Sequence, residues 1–149
     1  MTTVELSTEI DAPVETCFQL ALSIDLELEA AKTHHIRAVS GVTSGNIGPG
    51  QRVRWITVSH VSEISGYRQP LFFQDRMVKG TFQFFQHDHF FQPLRSDKTV
   101  MRDLLRFSMP FWLLGIVSER LIIRSRLTQL LLQRNHLIRK TATATVKID

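Results

Sequence analysis

The stretch from Phe72 to Phe91 reads FFQDRMVKGTFQFFQHDHFF and contains seven of the ten phenylalanines in the chain. Aromatic side chains carry large apolar surfaces that a folded protein buries. His87, Asp88 and His89 add polar groups within the same stretch. Aromatic surface on this scale, with polar residues beside it, predicts strands that border an apolar cavity.

This stretch belongs to a longer run of strand-like patterns that extends from Gln51 to Ser108. Apolar and polar residues alternate there with a period of two, which is typical of strands with one buried face. The predicted strands are Arg52 to His60, Ser62 to Tyr67, Leu71 to Val78, Thr81 to Gln92 and Lys98 to Ser108. Short turn-like breaks, such as Gln69-Pro70 and Lys79-Gly80, predict hairpins and therefore an antiparallel meander.

The segment before the meander predicts a strand, two short helices and another strand. Alternation from Val4 to Ile10 predicts the first strand, and Asp11 is the expected N-cap of the next helix. Cys17 lies on the apolar stripe of that helix, so it is interpreted as a small buried hydrophobe and not as a reactive thiol. A helix from Leu26 to Lys32 and a strand from Ile36 to Ser40 follow.

After Pro110 the pattern changes to a helical period, and no strong helix breaker occurs between Ser118 and Lys140. A helix of that length spans about 35 Å at 1.5 Å per residue. Its apolar stripe contains Ile116, Ile123, Leu127, Leu130 and Ile138, and also passes through Arg120 and Arg134. This order of elements predicts an α+β fold, in which a curved antiparallel sheet of six or seven strands wraps around the long C-terminal helix.

The composition fits a single domain. A chain of 149 residues can bury a sizeable core, and its one cysteine cannot form an internal disulfide. The first residues lack the features of a signal peptide, so a cytoplasmic protein is expected. The longest nearly uncharged run, Phe107 to Ser118, is too short for a membrane-spanning helix. Residues 111–140 carry six Lys/Arg against one Asp/Glu, within a net charge of +4.

Several strings of residues carry a resemblance to a known family. They are Gly45 to Trp55 with His60, Phe73 to Phe82, Phe85 to Phe91, Thr99 to Asp103 and Leu131 to Asn135. In these strings the chain resembles the helix-grip superfamily of START-like proteins, in particular its bacterial polyketide cyclase/dehydrase-like (SRPBCC) ligand-binding branch. The resemblance implies an apolar cavity between sheet and helix, which in relatives holds lipids, steroids or polyketides. Some relatives direct cyclisation or dehydration and others only bind, so the fold does not determine the activity.

Alternation gives the strand from Thr81 to Gln92 two aromatic faces. Phe85, His87, His89 and Phe91 share one face, and Phe82, Phe84, Gln86, Asp88 and Phe90 share the other. We assign the face with the two histidines to the cavity. An aromatic outer face predicts either a second covering layer or contact with a partner chain.

Asp103 is predicted to point inward, because arginines mark the opposite face of its strand. A three- or five-residue loop after Arg95 would place His89 beside Asp103, whereas a two-residue loop would break that register. Two hypotheses follow. In the first, His89, Asp103 and Arg134 form a polar cluster that holds a ligand's carboxyl, phenol or keto group. In the second, they form a buried structural network, because buried charges need partners in any case.

The predicted ligand-binding residues combine an apolar wall with a few polar groups. They are Val53, Trp55, Asp75, Phe85, His87, His89, Phe91, Asp103, Leu105, Phe107, Leu127, Leu130 and Arg134. Asp75 is expected in a loop or at the rim, in a hydrogen-bonding role, and the alternative is an inward carboxylate that acts as a base. The pair His87 and His89 has no third ligand at a motif spacing, so no metal and no other cofactor is predicted.

The leading functional hypothesis is a protein that binds a hydrophobic small molecule. A cyclase/dehydrase-type enzyme, in which His89 and Asp103 transfer protons, is the first alternative. The second alternative is peripheral contact with an anionic membrane or a partner through Arg120, Arg124 and Arg126. A homodimer through the outer aromatic residues is a further hypothesis, and nucleic-acid binding is not expected.

Overall fold

The computed structural model describes residues 1–56, 59–113 and 117–148. In chain order the elements are β1 (Thr2–Ile10), α1 (Val14–Ala21), α2 (Ile24–Ala30), a 3-10 helix (Lys32–His34), β2 (Arg37–Gly41), β3 (Arg52–Ile56), β4 (His60–Arg68), β5 (Phe72–Lys79), β6 (Phe84–Arg95), β7 (Lys98–Ser108), a second 3-10 helix (Phe111–Leu113) and α3 (Val117–Ile148). The predicted α+β order is confirmed.

The strands form one curved antiparallel sheet in the order β1-β7-β6-β5-β4-β3-β2. Strands β3 to β7 make the predicted meander, because short connections place consecutive strands side by side, and β2 pairs with β3 across the longer loop at residues 42–51. β1 pairs with β7 from Thr2↔Phe107 to Ile10↔Thr99, so the first and last strands are neighbours. The long helix α3 packs against β1, α1 and α2. This is the predicted sheet around a terminal helix.

One part of the core lies where α1 meets the sheet. Cys17 and Phe18 of α1 are fully buried. The ring of Phe18 meets Phe73 and Phe91 edge-on, with centroids 5.6 and 5.3 Å apart. Burial raises the pKa of the Cys17 thiol, which confirms its interpretation as a small core residue.

The starts of both short helices differ from the prediction. Pro13 precedes α1, and no side chain caps that helix, so the expected N-cap role of Asp11 is wrong. Pro13 is the N-cap residue and has the extended backbone conformation of that position. α2 begins at Ile24, two residues earlier than expected, because the hydroxyl of Ser23 accepts a backbone hydrogen bond and caps it.

The long helix α3 extends to Ile148, eight residues beyond the predicted end, because residues 141–148 contain neither glycine nor proline. Arg120, predicted on the apolar stripe, is instead exposed, and its Nε donates a hydrogen bond of 2.9 Å to Thr2 Oγ1 at the end of the sheet. Ile116 of the predicted stripe lies outside the described residues.

Several strand boundaries also differ from the prediction, most of them by one to three residues. His60 begins β4 instead of ending the preceding strand, and residues 57 and 58 lie outside the described part of the chain. β6 begins at Phe84 and not at Thr81. Phe82 therefore lies in a bend before the strand and does not follow the strand's alternation.

The register between β6 and β7 places His89 opposite Asp103 and Phe91 opposite Met101, as predicted. The expectation that a two-residue loop would break this register is wrong. Arg95 pairs with Lys98 across a two-residue turn, but the register shifts between Pro93 and Arg95. This bulge adds one unpaired residue to β6 and thereby restores the pairing that a plain two-residue hairpin would break.

Candidate functional site

A cavity of about 390 Å³ lies between the inner face of the sheet and the helices α2 and α3. Its wall is mainly apolar, and the linings from β3, β5 and β7 include Val53, Phe73 and Leu105. Arg126 of α3 lines the cavity and is also exposed, so the cavity reaches solvent near this residue.

Ten of the thirteen predicted ligand-binding residues line this cavity. They are Val53, Trp55, Asp75, Phe85, His87, His89, Leu105, Leu127, Leu130 and Arg134. The structure does not bring the other three, Phe91, Asp103 and Phe107, to the cavity wall. Ligand binding by these residues stays a prediction.

Phe91 and Phe107 point inward as predicted, but other side chains fill the space in front of them. Phe91 is buried and packs against Phe18 of α1. Phe107 is fully buried, and its ring meets that of Phe82 edge-on at 5.7 Å. Strand alternation indicates the inner face of the sheet, whereas helix α1 and the bend at Phe82 decide which part of that face remains open.

Asp103 lies behind the histidine pair, where it is fully buried and accepts hydrogen bonds on both oxygens. Its Oδ1 lies 2.9 Å from His87 Nε2, 3.0 Å from His89 Nδ1 and 3.5 Å from Arg134 Nη1. Its Oδ2 accepts a hydrogen bond of 2.6 Å from Asn135 Nδ2. The predicted association of His89, Asp103 and Arg134 is therefore present, and His87 and Asn135 extend it. We call these five residues the Asp103 cluster.

These contacts decide the charges in the cluster. Burial alone would raise the pKa of Asp103, but the hydrogen bonds from His87 and His89 and the charge of Arg134 hold that pKa well below its ordinary value. Burial lowers the pKa of His89 well below its ordinary value, and the charges of His87 and Arg134 add to that effect against the opposing bond to Asp103. Near neutral pH, Asp103 is ionised and His89 is neutral, with Nδ1–H donating to the carboxylate.

Arg134 compensates the buried negative charge and is itself surrounded by acceptors. Its Nε donates to Glu27 Oε2 at 2.8 Å. Its Nη1 donates to Asn135 Oδ1 and its Nη2 to the backbone oxygen of Ala21, both at 3.1 Å. Each guanidinium nitrogen therefore already has an acceptor within the protein.

Sequence reasoning missed Glu27 and Asn135. Glu27 lies on α2, 107 residues before Arg134, and no local pattern links two residues so far apart. Asn135 directly follows Arg134, and both lie one helical turn from the buried residues Leu131 and Ile138 of α3. A polar pair at that position was the available signal, because two adjacent polar residues beside a core need buried partners.

Asp75 forms a second polar site in the same cavity, on β5. It lies on the inner face of the strand and not in the predicted loop or rim. Trp55 Nε1 donates to Ser62 Oγ at 3.2 Å, and the Ser62 side chain hydrogen-bonds Asp75. The Oδ1 atom of Asp75 is buried and has no hydrogen-bond partner among the described residues.

The pKa of Asp75 shifts in the direction opposite to that of Asp103. Burial raises the pKa of Asp75 to about 6. His87 opposes this rise, the charge of Glu27 adds to it, and Ser62 and Arg134 oppose it. Asp75 is consequently a carboxyl group that changes its charge near pH 6 beside an apolar cavity.

His60 is another residue of the wall that sequence reasoning left without a role. Burial lowers the pKa of His60 to about 4, so the ring is neutral at neutral pH. It meets Phe85 edge-on, with centroids 4.8 Å apart. His60 therefore contributes a mainly aromatic surface to the cavity.

The donor atoms of His87, His89 and Asp103 lie within 4.8 Å of one another, as they would around a metal ion. Arg134 argues against that use. Its guanidinium lies 3.5 Å from both Asp103 Oδ1 and His89 Nδ1, so a positive charge already occupies one side of the cluster. A cation there would be repelled, and a hydrogen-bonded network fits the residues better.

The outer face of β6 is covered by side chains of the same chain. Phe90 packs against Phe72 with centroids 5.2 Å apart, and the guanidinium of Arg102 lies 4.7 Å above its ring. Asp88 is buried and accepts hydrogen bonds from Arg106 and Gln74. Contacts within the chain thus cover much of the outer face of β6, whose aromatic residues suggested a partner.

Exposed apolar side chains lie at the start of α3 and just before it. Phe111 and Trp112 are 86% and 74% exposed, and Leu121 and Ile122 of α3 are 62% and 51% exposed. The exposed residue Arg124 follows them closely on the helix. No helix in the described part of the chain is long and apolar enough to cross a membrane.

The antiparallel sheet around a long terminal helix, with a cavity between them, is the helix-grip fold of START-like proteins. A START superfamily protein from Mycobacterium smegmatis matches with a TM-score of 0.68 at 10% identity, over 96% of this chain and 98% of that one. A protein from Thermus thermophilus matches with a TM-score of 0.67 at 17% identity, over 92% of this chain and 97% of that one.

Norcoclaurine synthase from Thalictrum flavum, solved with dopamine and hydroxybenzaldehyde, has a TM-score of 0.59 at 12% identity, over 92% of this chain and 86% of that one. No family model and no curated protein matches the sequence. At these identities the likeness establishes the fold, and function must be argued from the cavity.

Proposed function

We propose that this protein binds a hydrophobic small molecule, lipid-like, polyketide-like or aromatic, in the cavity between the sheet and α3. The observation that carries the proposal is an apolar space of about 390 Å³ with polar groups grouped on its wall. Ligand pockets typically enclose roughly 300–1,000 Å³ and combine apolar walls with a few polar groups that fix orientation. The helix-grip fold supports ligand binding of this general kind, and assignment to the SRPBCC branch is part of the proposal.

Filling the cavity tests this function directly. N-phenyl-1-naphthylamine, an apolar dye that fluoresces when it leaves water, serves as the probe. Leu127→Trp places a larger side chain in the cavity wall, and Leu132→Trp is the matched control on the 52% exposed face of the same helix. We expect the first variant to lose most dye binding and the second to keep it. Equal binding by both variants, or no binding by the unmodified protein, would contradict the proposal.

The geometry supports binding better than catalysis by His89 and Asp103. Asp103 does not line the cavity, and its two oxygens are already hydrogen-bonded. The pKa of His89 lies well below its ordinary value, which makes it a weak base at neutral pH. A cyclase/dehydrase reaction remains the alternative function. It requires that conversion of a polyketide-like substrate depend on these two residues.

Contact with an anionic membrane is a second candidate function, favoured by the exposed residues Phe111, Trp112, Leu121 and Ile122 beside Arg124. Apolar side chains next to basic ones suit the interface of an anionic bilayer. In this proposal the cavity mouth near Arg126 faces the membrane, so that an apolar ligand enters without crossing water.

Flotation with vesicles of phosphatidylcholine, with and without phosphatidylserine, tests membrane contact. The variant Trp112→Ser combined with Leu121→Ser should float less than the unmodified protein. Leu94→Ser, at a 46% exposed position on β6, is the control and should float normally. Membrane contact is excluded if the unmodified protein stays with the buffer at low salt. A homodimer through the outer aromatic residues and a cytoplasmic location stay predictions.

A further inference from the structure

Asp75 differs from Glu27, the other carboxylate on the cavity wall, because it forms no salt bridge with any described residue. It lies at the centre of the sheet, where β5 pairs it with Ile64 of β4 and His87 of β6. Its Oδ1 has no hydrogen-bond partner among the described residues. Glu27 accepts a hydrogen bond of 2.8 Å from Arg134.

An unpaired carboxyl group at this place is costly to keep. A buried acceptor without a donor loses the hydrogen bonds that water would provide, and a buried charge loses more. An apolar residue of similar size would fit the surrounding wall of Ile64 and Phe73 without that cost. A buried polar group that is unsatisfied in the free protein needs an explanation, and a ligand that pairs with it is one.

The hydrogen bonds around the Asp103 cluster indicate which kind of ligand group is missing. His87 Nε2, His89 Nδ1 and the guanidinium of Arg134 already meet acceptors within the protein, and Trp55 Nε1 donates to Ser62. On this part of the wall, the buried polar atom that has no partner among the described residues is an acceptor, Asp75 Oδ1. A ligand group that donates a hydrogen bond therefore matches the wall better than a carboxylate or keto group, which would need a donor.

We infer that the ligand of this cavity carries a hydroxyl or amine group on an otherwise apolar body, and that the Asp75 carboxyl accepts a hydrogen bond from it. This inference rests on the proposed binding function. It makes Asp75 a specificity-determining residue and leaves the Asp103 cluster as the rigid support beside it. A carboxylate can accept several hydrogen bonds, so the bond from Ser62 does not exhaust it.

Charge makes this recognition dependent on pH. His87 of β6, Glu27 of α2 and Arg134 of α3 are the charged or titratable groups that act on Asp75. With the pKa of Asp75 at about 6, the carboxyl is ionised above pH 7 and protonated below pH 5. Hydrogen bonds to an ionised acceptor are stronger than those to a neutral one, so a hydroxyl ligand should bind more tightly as the pH rises through 6.

Three naphthalene probes of similar shape test the inference by titration calorimetry at pH 7.5. They are 2-naphthol, which donates a hydrogen bond, 2-methylnaphthalene, which has no polar group, and 2-acetonaphthone, which only accepts. The unmodified protein should bind 2-naphthol about tenfold more tightly than the other two, because one charge-assisted hydrogen bond is worth about that factor. In Asp75→Val the three affinities should become equal. 2-Naphthylmethylamine then distinguishes a preference for amines from one for hydroxyls.

Two further variants keep the result interpretable. Leu127→Ala should weaken all three probes by a similar factor, because it changes only apolar contact. If Asp75→Val fails to fold, Asp75→Asn replaces it, and loss of the rise in 2-naphthol affinity between pH 5 and 7.5 supports the inference. Equal affinities in the unmodified protein, or a preference for 2-acetonaphthone, would overturn it while leaving cavity binding intact. If no probe binds and the dye does not bind either, the proposed function itself fails.

Discussion

Asp103 on β7 and Asp75 on β5 are both aspartates on the inner face of the same sheet, yet their surroundings are opposite. Asp103 is in contact with two histidines, an arginine and an asparagine that donate to its oxygens, and its pKa falls well below the ordinary value. Asp75 hydrogen-bonds Ser62 and keeps one oxygen without a partner among the described residues, and its pKa rises to about 6.

The difference between the two pKa values follows from the hydrogen-bond donors near each carboxyl group and not from burial alone. Burial raises the pKa of either carboxyl, because the charged form loses water. The described part of α3 brings Arg134 and Asn135 to Asp103 but no hydrogen-bond donor to Asp75 Oδ1. One carboxylate is therefore part of the internal support of the fold, whereas the other is free to meet a ligand.

The largest expected effect comes from removing the satisfied carboxylate. Asp103→Ala leaves His87, His89 and Arg134 buried without their common acceptor, which typically costs about 3–5 kcal/mol when one partner of a buried ion pair is lost. Urea unfolding followed by circular dichroism measures this change. Asp97→Asn is the control, because that carboxylate is 71% exposed in the β6–β7 turn and should change the free energy of unfolding by less than about 0.5 kcal/mol. Similar stabilities for the two variants would mean that the Asp103 cluster does not support the fold.

At Asp75 we expect a smaller effect on the free energy of unfolding, and of the opposite sign to that at Asp103. The ionised Asp75 carboxylate should destabilise the folded protein. Its pKa in the folded protein, about 6, exceeds its ordinary value of 3.8, so the folded state holds the proton more tightly. The contribution of Asp75 to stability is therefore present at low pH and falls as the pH rises from about 4 to 6. Relative to Asp75→Asn, the unmodified protein should lose about 2–3 kcal/mol between pH 4 and pH 7, from a shift of roughly two pKa units.

Urea unfolding of both proteins at several pH values measures this difference. His60 and His89 have lowered pKa values and act in the opposite direction, but they are present in both proteins. Their contributions largely cancel when the two curves are subtracted. A difference that stays constant with pH, or that rises, would refute the raised pKa of Asp75.

The smallest expected effect comes from Glu27. This residue pairs with Arg134 of the Asp103 cluster and also raises the pKa of Asp75, so it acts on the surroundings of both aspartates. The Glu27 side chain is 39% exposed, so Glu27→Gln should cost only about 1 kcal/mol of stability. It should also lower the pKa of Asp75, which NMR of the carboxyl carbon can follow. Glu29→Gln is the control on the same helix, because its exposed pair with Lys32 lies away from the cavity. An unchanged Asp75 titration would show that Glu27 does not act on it.

The pairing of His89 with Asp103 shows how far the sequence predicts the site. Alternation along the two strands correctly indicated the inner face of each, because successive side chains must point to opposite sides of a sheet. The expectation that a two-residue loop would break this register was wrong, because a bulge after Pro93 restores the pairing. The strand pattern did not reveal this bulge, because only Arg95 follows it in β6 and no alternation can be read from one residue.

Phe91, Phe107 and Asp75 show that the sequence did not predict which inward residues line the cavity. All three lie on inner faces, but α1 covers Phe91 and the bend at Phe82 covers Phe107, whereas Asp75 borders open space. Which inward residue becomes core and which lines a cavity depends on elements far away in the chain.

The sequence by itself determined the α+β order, the antiparallel meander, the long C-terminal helix and the inward positions of His89, Asp103 and Arg134. Period and turn chemistry are local properties, and they can be read from neighbouring residues. Only the tertiary structure decided that Asp103 is fully satisfied and that Asp75 is not. The charge and the free hydrogen-bonding capacity of a buried group depend on the donors that other elements bring to it, and the sequence pattern around the group does not contain them.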